Sequence, residues 1–125
     1  MKRTPIVTLC SLFVLCFSLS CERLNPDTSI SISESGHYFK MLAHFNRSRT
    51  IDVDEFMDSR IGRRSNMSFV NSRIDGKLAL NDHTTFYIKK YPGFVEIKLD
   101  KEENSDEAYH RIKAMCEGIK KVIAE

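Results

Sequence analysis

The chain has 125 residues, 42% of them hydrophobic and 29% charged, with five Gly, three Pro, four Cys and no Trp. One small domain is the ceiling at this length, and the composition excludes a collagen-like, disordered, multi-domain or multi-span chain. Twelve of the 52 apolar residues fall in the first twenty positions, leaving 40 among the other 105 for one modest core. The formal net charge of +2 belongs to Lys2 and Arg3, since without them 17 cations face 17 anions. A nucleic-acid partner loses its main argument.

Lys2 and Arg3 precede Ile6 to Leu19, a 14-residue stretch without charge, and Ser18-Leu19-Ser20 leads into Cys21. This is the three-part layout of a secretory signal peptide. As a helix the apolar stretch would reach roughly 21 Å, short of the ~30 Å hydrocarbon core, so removal is favoured over a permanent span. The positions Ser18, Leu19, Ser20 and Cys21 resemble a bacterial lipoprotein signal, in which a small residue precedes a Cys that is lipidated and becomes the new N-terminus. Ser18 departs from the usual aliphatic residue, which keeps cleavage without lipid as the alternative. The resemblance implies a signal peptide at 1–20, a lipid on Cys21 and a membrane-anchored location in a bacterial cell envelope. Glu22, in place of an inner-membrane retention Asp, favours the periplasmic side of the outer membrane.

Cys10 and Cys16 leave with the signal, so Cys116 is the one thiol left and no intramolecular disulfide can form. Its spacing with Ile112, Ile119 and Ile123 marks one helix face, so it reads as a core residue. Glu22 to Thr28 is polar and aperiodic and reads, with Cys21, as a tether over 21–28, reaching at most roughly 25 Å.

The domain is expected over 29–125. Ser29 to Ser33 alternates, and after Ser35-Gly36 a second run places Phe39, Met41, Ala43 and Phe45 on one side, giving two strands of a hairpin. Asp52 and Glu55 have capping-box spacing, with Val53, Phe56, Met57 and Ile61 at helical intervals, Ile51 poised to staple onto Phe56 and Gly62 as a stop. This predicts a helix over 53–61. Arg63 to Ile74 lacks a period and reads as loop with at most a short strand. Asp75-Gly76 reads as a turn, Leu78 and Leu80 alternate, and Asn81-Asp82-His83 turns again. Phe86 and Ile88 continue the alternation to Lys89, and Tyr91-Pro92-Gly93 turns into Val95, Ile97 and Leu99. The last helix is predicted over 105–123, capped by Asn104 with Glu107, acidic at its start and basic at Lys120 and Lys121. Strands apolar on one side only, alternating with two helices, predict an α+β fold. Its antiparallel sheet has four or five strands with two helices packed on one face.

Chemistry is sparse. His37 and His44 would fall on opposite faces of one strand, His83 in a turn and His110 on a helix, so no metal-ligand spacing and no cofactor are implied. Asp52, Asp54, Glu55 and Asp58 read as solvated first-turn acids, and the acids from Asp100 to Glu107 as the solvated start of the last helix. Nucleophile elbows and phosphate-cradling Gly runs are missing, so no enzyme is expected. Two surfaces remain. Tyr38, Leu42, Tyr87 and Phe94 are expected outward on the bare side of the sheet, as a docking surface for another envelope protein. This non-catalytic, protein-binding or accessory role is the leading reading. The alternative is binding of an anionic ligand or envelope polymer by Arg60, Arg63, Arg64 and Arg73, in a stretch from Ser59 to Ile74 that holds no other charge.

Overall fold

The computed structural model describes residues 28–65 and 68–125. The expected signal segment, Cys21 and the tether as far as residue 27 lie outside the described residues. The described chain folds as α+β, a five-stranded antiparallel sheet with two helices.

β1 (Ser29–Glu34) and β2 (Tyr38–His44) pair so that Ser29 opposes His44 and Glu34 opposes Phe39. Ser35 Oγ closes their turn by accepting from the N–H groups of His37 and Tyr38 at 3.1 and 3.2 Å. His37 therefore lies in the turn, and His44 alone of the two is on a strand. β3 (Ile74–Ala79), β4 (Thr85–Tyr91) and β5 (Phe94–Asp100) follow, and the sheet order is β1-β2-β5-β4-β3. Its near end, where Thr28 leads into β1, carries Ser29, His44, Phe94, Tyr91 and Ile74; its far end carries Glu34, Tyr38, Asp100, Thr85 and Ala79.

Alternation does most of the sorting. Phe39, Met41 and Ala43, Val95, Ile97 and Leu99, and Phe86 and Ile88 are all buried on one face. There they meet Val53, Met57 and Ile61 of the first helix, Ile112, Met115, Cys116, Ile119 and Ile123 of the second, and Phe69 of the intervening loop. Asp75-Gly76 belongs to β3 rather than to a turn: Gly76 opposes Ile88, and the reversal is made by Asn81 to His83, with His83 at a φ of 71°. At Tyr91-Pro92-Gly93-Phe94 the turn is as expected. Gly93 has a φ of 82°, and a Cβ there would stand 2.9 Å from the Phe45 carbonyl oxygen, so only glycine fits.

Helix α1 (Thr50–Met57) starts three residues earlier than its apolar spacing predicts. No capping box forms. Asn46 instead accepts from Ser48 N–H at 2.9 Å and starts a short 3-10 turn over Arg47–Arg49 that feeds α1, and Ile51 stays exposed. Nor does Gly62 stop it, because Gly62 does not adopt the left-handed conformation that ends helices. The coil instead widens into a π turn over Asp58–Gly62 and runs on through Arg63–Ser65. Helix α2 (Asp106–Ala124) is within a residue of expectation, but Ser105 caps it by accepting from Ala108 N–H at 3.1 Å. Asn104 is taken by the sheet, accepting from Thr85 N–H at 2.9 Å and donating to the Thr85 and Asp100 carbonyls. The helices cross closely at Gly118, where a Cβ would stand 2.1 Å from the Phe56 ring.

Candidate functional site

Away from the helices the sheet presents Tyr38, Lys40, Leu42 and His44, then Phe94, Glu96, Lys98 and Asp100, then Thr85, Tyr87, Lys89 and Tyr91. Tyr38 is 46% exposed, and among the described residues Ile51 is the other large exposed apolar side chain. Tyr87 stands across from Lys98, whose Nζ lies 4.8 Å from the Tyr38 ring centroid. The Tyr87 hydroxyl donates to Asp75 at 2.8 Å, and that carboxylate pushes the phenol above its ordinary range. With Lys77, Thr85, Asp100 and Glu103 these side chains line a far-end groove of about 310 Å³. Phe94 corrects the expectation of an exposed aromatic set: parity turns it outward, yet it is only 7% exposed. It is stacked on Tyr91 at 4.7 Å and tilted against His44 at 4.9 Å, at the opposite end of the sheet from Tyr38.

The four arginines also divide. Arg60, Arg63 and Arg64 share a groove of about 510 Å³ with Asp58 and Ser59 on the outer side of the α1 extension. Arg73 is elsewhere, 5.9 Å from the centroid of Tyr91. The stretch is rich in Arg along the chain but not uncompensated in space, since Asp82 of the β3–β4 turn pairs with Arg64 at 3.1 Å and with Arg111 of α2. Burial works to raise the Asp82 carboxyl, but the Thr84 hydroxyl and N–H and the two guanidiniums outweigh it and hold it low. Asp58 takes the N–H of Phe69 and the hydroxyl of Ser68, both at 2.7 Å, and so ties the loop after α1 to the helix. Arg60 lies over the Phe56 ring at 5.0 Å, and neither it nor Arg63 has an acidic partner among the described residues.

Sequence reasoning missed a third place. Asp54, expected among the solvated acids, is 1% exposed, and its Oδ1 lies 3.2 Å from the ammonium of Lys90, which is 2% exposed. Lys90 also donates to the Ser72 carbonyl. Burial pushes the Asp54 carboxyl up, against the downward pull of Lys90. Asn71, beside this pair, has a φ of 59°. Thr50, Asn71, Ser72, Arg73 and Pro92 complete a recess of about 190 Å³. The pair neutralises itself and joins α1, β4 and the 68–73 loop, a structural clamp. The available signal was parity, because Phe86, Ile88 and Lys90 share the inward face of β4.

At the far edge, Glu34 receives the Tyr109 hydroxyl, Lys101 at 2.9 Å and Lys113 at 3.2 Å, which hold its carboxyl down at about 2. Cys116 is fully buried, and burial pushes its thiol up to about 12, so it is a core side chain without a thiolate at neutral pH. Among the described residues no three His, Cys, Asp or Glu side chains converge as metal ligands, and no helix is long and apolar enough to cross a membrane. Comparison of the chain with known protein families, curated proteins and solved structures gives no match in any of the three.

Proposed function

We propose that this protein is a lipid-anchored, non-catalytic component of a bacterial envelope, held by Cys21 on the periplasmic side, that binds another envelope protein through the open face of its sheet. The observation that carries the docking half is the far-end groove, where Tyr38 and Tyr87 flank Lys98 on a face no helix covers. Aromatics beside a cation and an acid are what a mixed apolar and polar partner surface requires. The anchor half rests on the residues around Cys21. Cys21→Ala should move the product to the soluble fraction or stall its processing, and unchanged membrane association with unchanged cleavage would remove the anchor.

Cross-linking in intact envelopes tests the docking half. Tyr38→Ala with Tyr87→Ala should abolish capture of the partner, while charge reversal at Arg60 and Arg63 leaves it intact. The converse result would transfer the site to the arginine groove. That second reading, an anionic ligand or polymer, is favoured by one observation: Arg60 and Arg63 face a common groove without an acidic partner among the described residues.

A further inference from the structure

Cations are distributed unequally between the two ends of the sheet. At the far end nearly every one is spent: Lys101 and Lys113 on Glu34, Lys77 on Glu103 at 2.9 Å, Arg64 and Arg111 on Asp82. At the near end the acids are spent instead. Arg49 takes both Asp52, at 3.2 Å, and Glu125, at 3.9 Å, while Lys90 neutralises Asp54 and Asp75 receives Tyr87. Glu55 and Glu117 stand a turn or more back along their helices. Arg47, Arg73, Lys120 and Lys121 therefore have no acidic partner among the described residues. The topology gathers them. Arg47 packs on Gly93 of the β4–β5 turn, and Arg73 lies over Tyr91 on the same turn. The last turn of α2, with Lys121, is bound to this end by Arg49, which donates to the Val122 carbonyl. Thr28 enters β1 at this same end.

We propose that the near end of the domain, through Arg47, Arg73, Lys120 and Lys121, docks on the anionic phospholipid headgroups of the bilayer from which the chain is tethered. Two facts select a lipid surface. The unpaired cations belong to three separated segments, the turn before α1, the loop before β3 and the end of α2, which suits a broad anionic plane rather than a pocket. They also lie at the end of the sheet where the preceding residues join the fold, and those residues reach at most roughly 25 Å from position 21. The orientation points the Tyr38–Tyr87 groove away from the bilayer, toward a partner. The orientation rests on the anchored reading, but the headgroup contact is testable without it.

The test uses the full chain carrying Cys21→Ala, mixed with vesicles of phosphatidylcholine alone or with added phosphatidylglycerol, and recovered by flotation. The apolar residues 6–19 are common to all variants and cancel in the difference between the two vesicles. Partitioning should be stronger on the anionic vesicles and should weaken as salt rises to physiological strength. Reversal of all four (Arg47→Glu, Arg73→Glu, Lys120→Glu, Lys121→Glu) should remove the excess by well over tenfold, each cation being worth roughly fivefold. Reversal at the far end, Lys77→Glu with Lys98→Glu, should leave it. Should the fourfold reversal fail to fold, the neutral pair Arg47→Gln and Arg73→Gln should still reduce the excess by more than tenfold. Equal partitioning on the two vesicles, or equal losses from near-end and far-end changes, overturns the proposal. Failure of the Cys21 fractionation would overturn the anchor alone, since these vesicles never see the lipid.

Discussion

The two ends of the sheet solve the same problem, charged side chains at strand ends, in opposite ways. At the far end Glu34, Asp82 and Glu103 are matched by cations at the surface, Glu103 at 2.9 Å from Lys77, and Glu102 stands 3.0 Å from His37 Nδ1. Each exposed pair is individually worth little. At the near end one pair, Asp54–Lys90, is buried, Arg49 holds Asp52 and Glu125, and Arg47, Arg73, Lys120 and Lys121 are left open to solvent. Redundant surface pairing tolerates change, whereas a single buried pair tolerates it only when both members go together.

The sharpest way to break this contrast is to remove one half of the buried pair. Asp54→Ala leaves the Lys90 ammonium with the Ser72 carbonyl alone, and Lys90→Met leaves a buried carboxyl without its cation. Either should cost about 3–5 kcal/mol in urea unfolding, as for other broken buried pairs. The double variant should recover most of that loss, since no charge then remains to be desolvated. Additive losses would show that the two side chains act as packing volume and not as a clamp.

The turns at the two ends give a smaller contrast. Gly93→Ala forces a side chain onto a backbone at +82° and against the Phe45 carbonyl, a cost of about 1–3 kcal/mol. Gly36→Ala, in the β1–β2 turn at the far end, meets nothing within 4 Å and should be neutral or slightly stabilising through the unfolded chain. Equal thermal midpoints for the two variants would show that the near-end turn is free to relax.

What was legible in the sequence follows from which interactions are local. The inner faces of β1, β2 and β5 and the stripe of α2 follow from spacing alone, because burial of one face sets the period. Gly62 and Asp75-Gly76 misled because a glycine permits a break without imposing one. The pairing of Asp54 with Lys90 and of Arg64 with Asp82, 18 residues apart along the chain, exists only after the sheet has assembled. The outward parity of Tyr38 and Tyr87 was readable. The burial of Phe94 was not, since the His44 that covers it arrives through β2–β5 pairing.

The smallest effect is the pH dependence of the far-end network. Glu34 is held at about 2, from an ordinary 4.5, by the Tyr109 hydroxyl first and then by Lys101 and Lys113. A carboxyl depressed by folding stabilises the native state at pH values above its unfolded value, and that contribution fades as pH falls from about 4.5 to about 2. In the variant Glu34→Gln the other acids are unchanged, so the difference in urea midpoint from the parent chain isolates this group. The difference should be small and constant at neutral pH, shrink progressively below pH 4.5 and vanish near pH 2. Tyr109→Phe removes the largest cause, so the carboxyl should titrate closer to its ordinary value and the parent-to-Glu34→Gln difference should contract in that background. A difference that stays constant from neutral pH down to 2 would mean that Glu34 acts through its shape at the sheet edge, and that the far end is held by packing and not by its ion pairs.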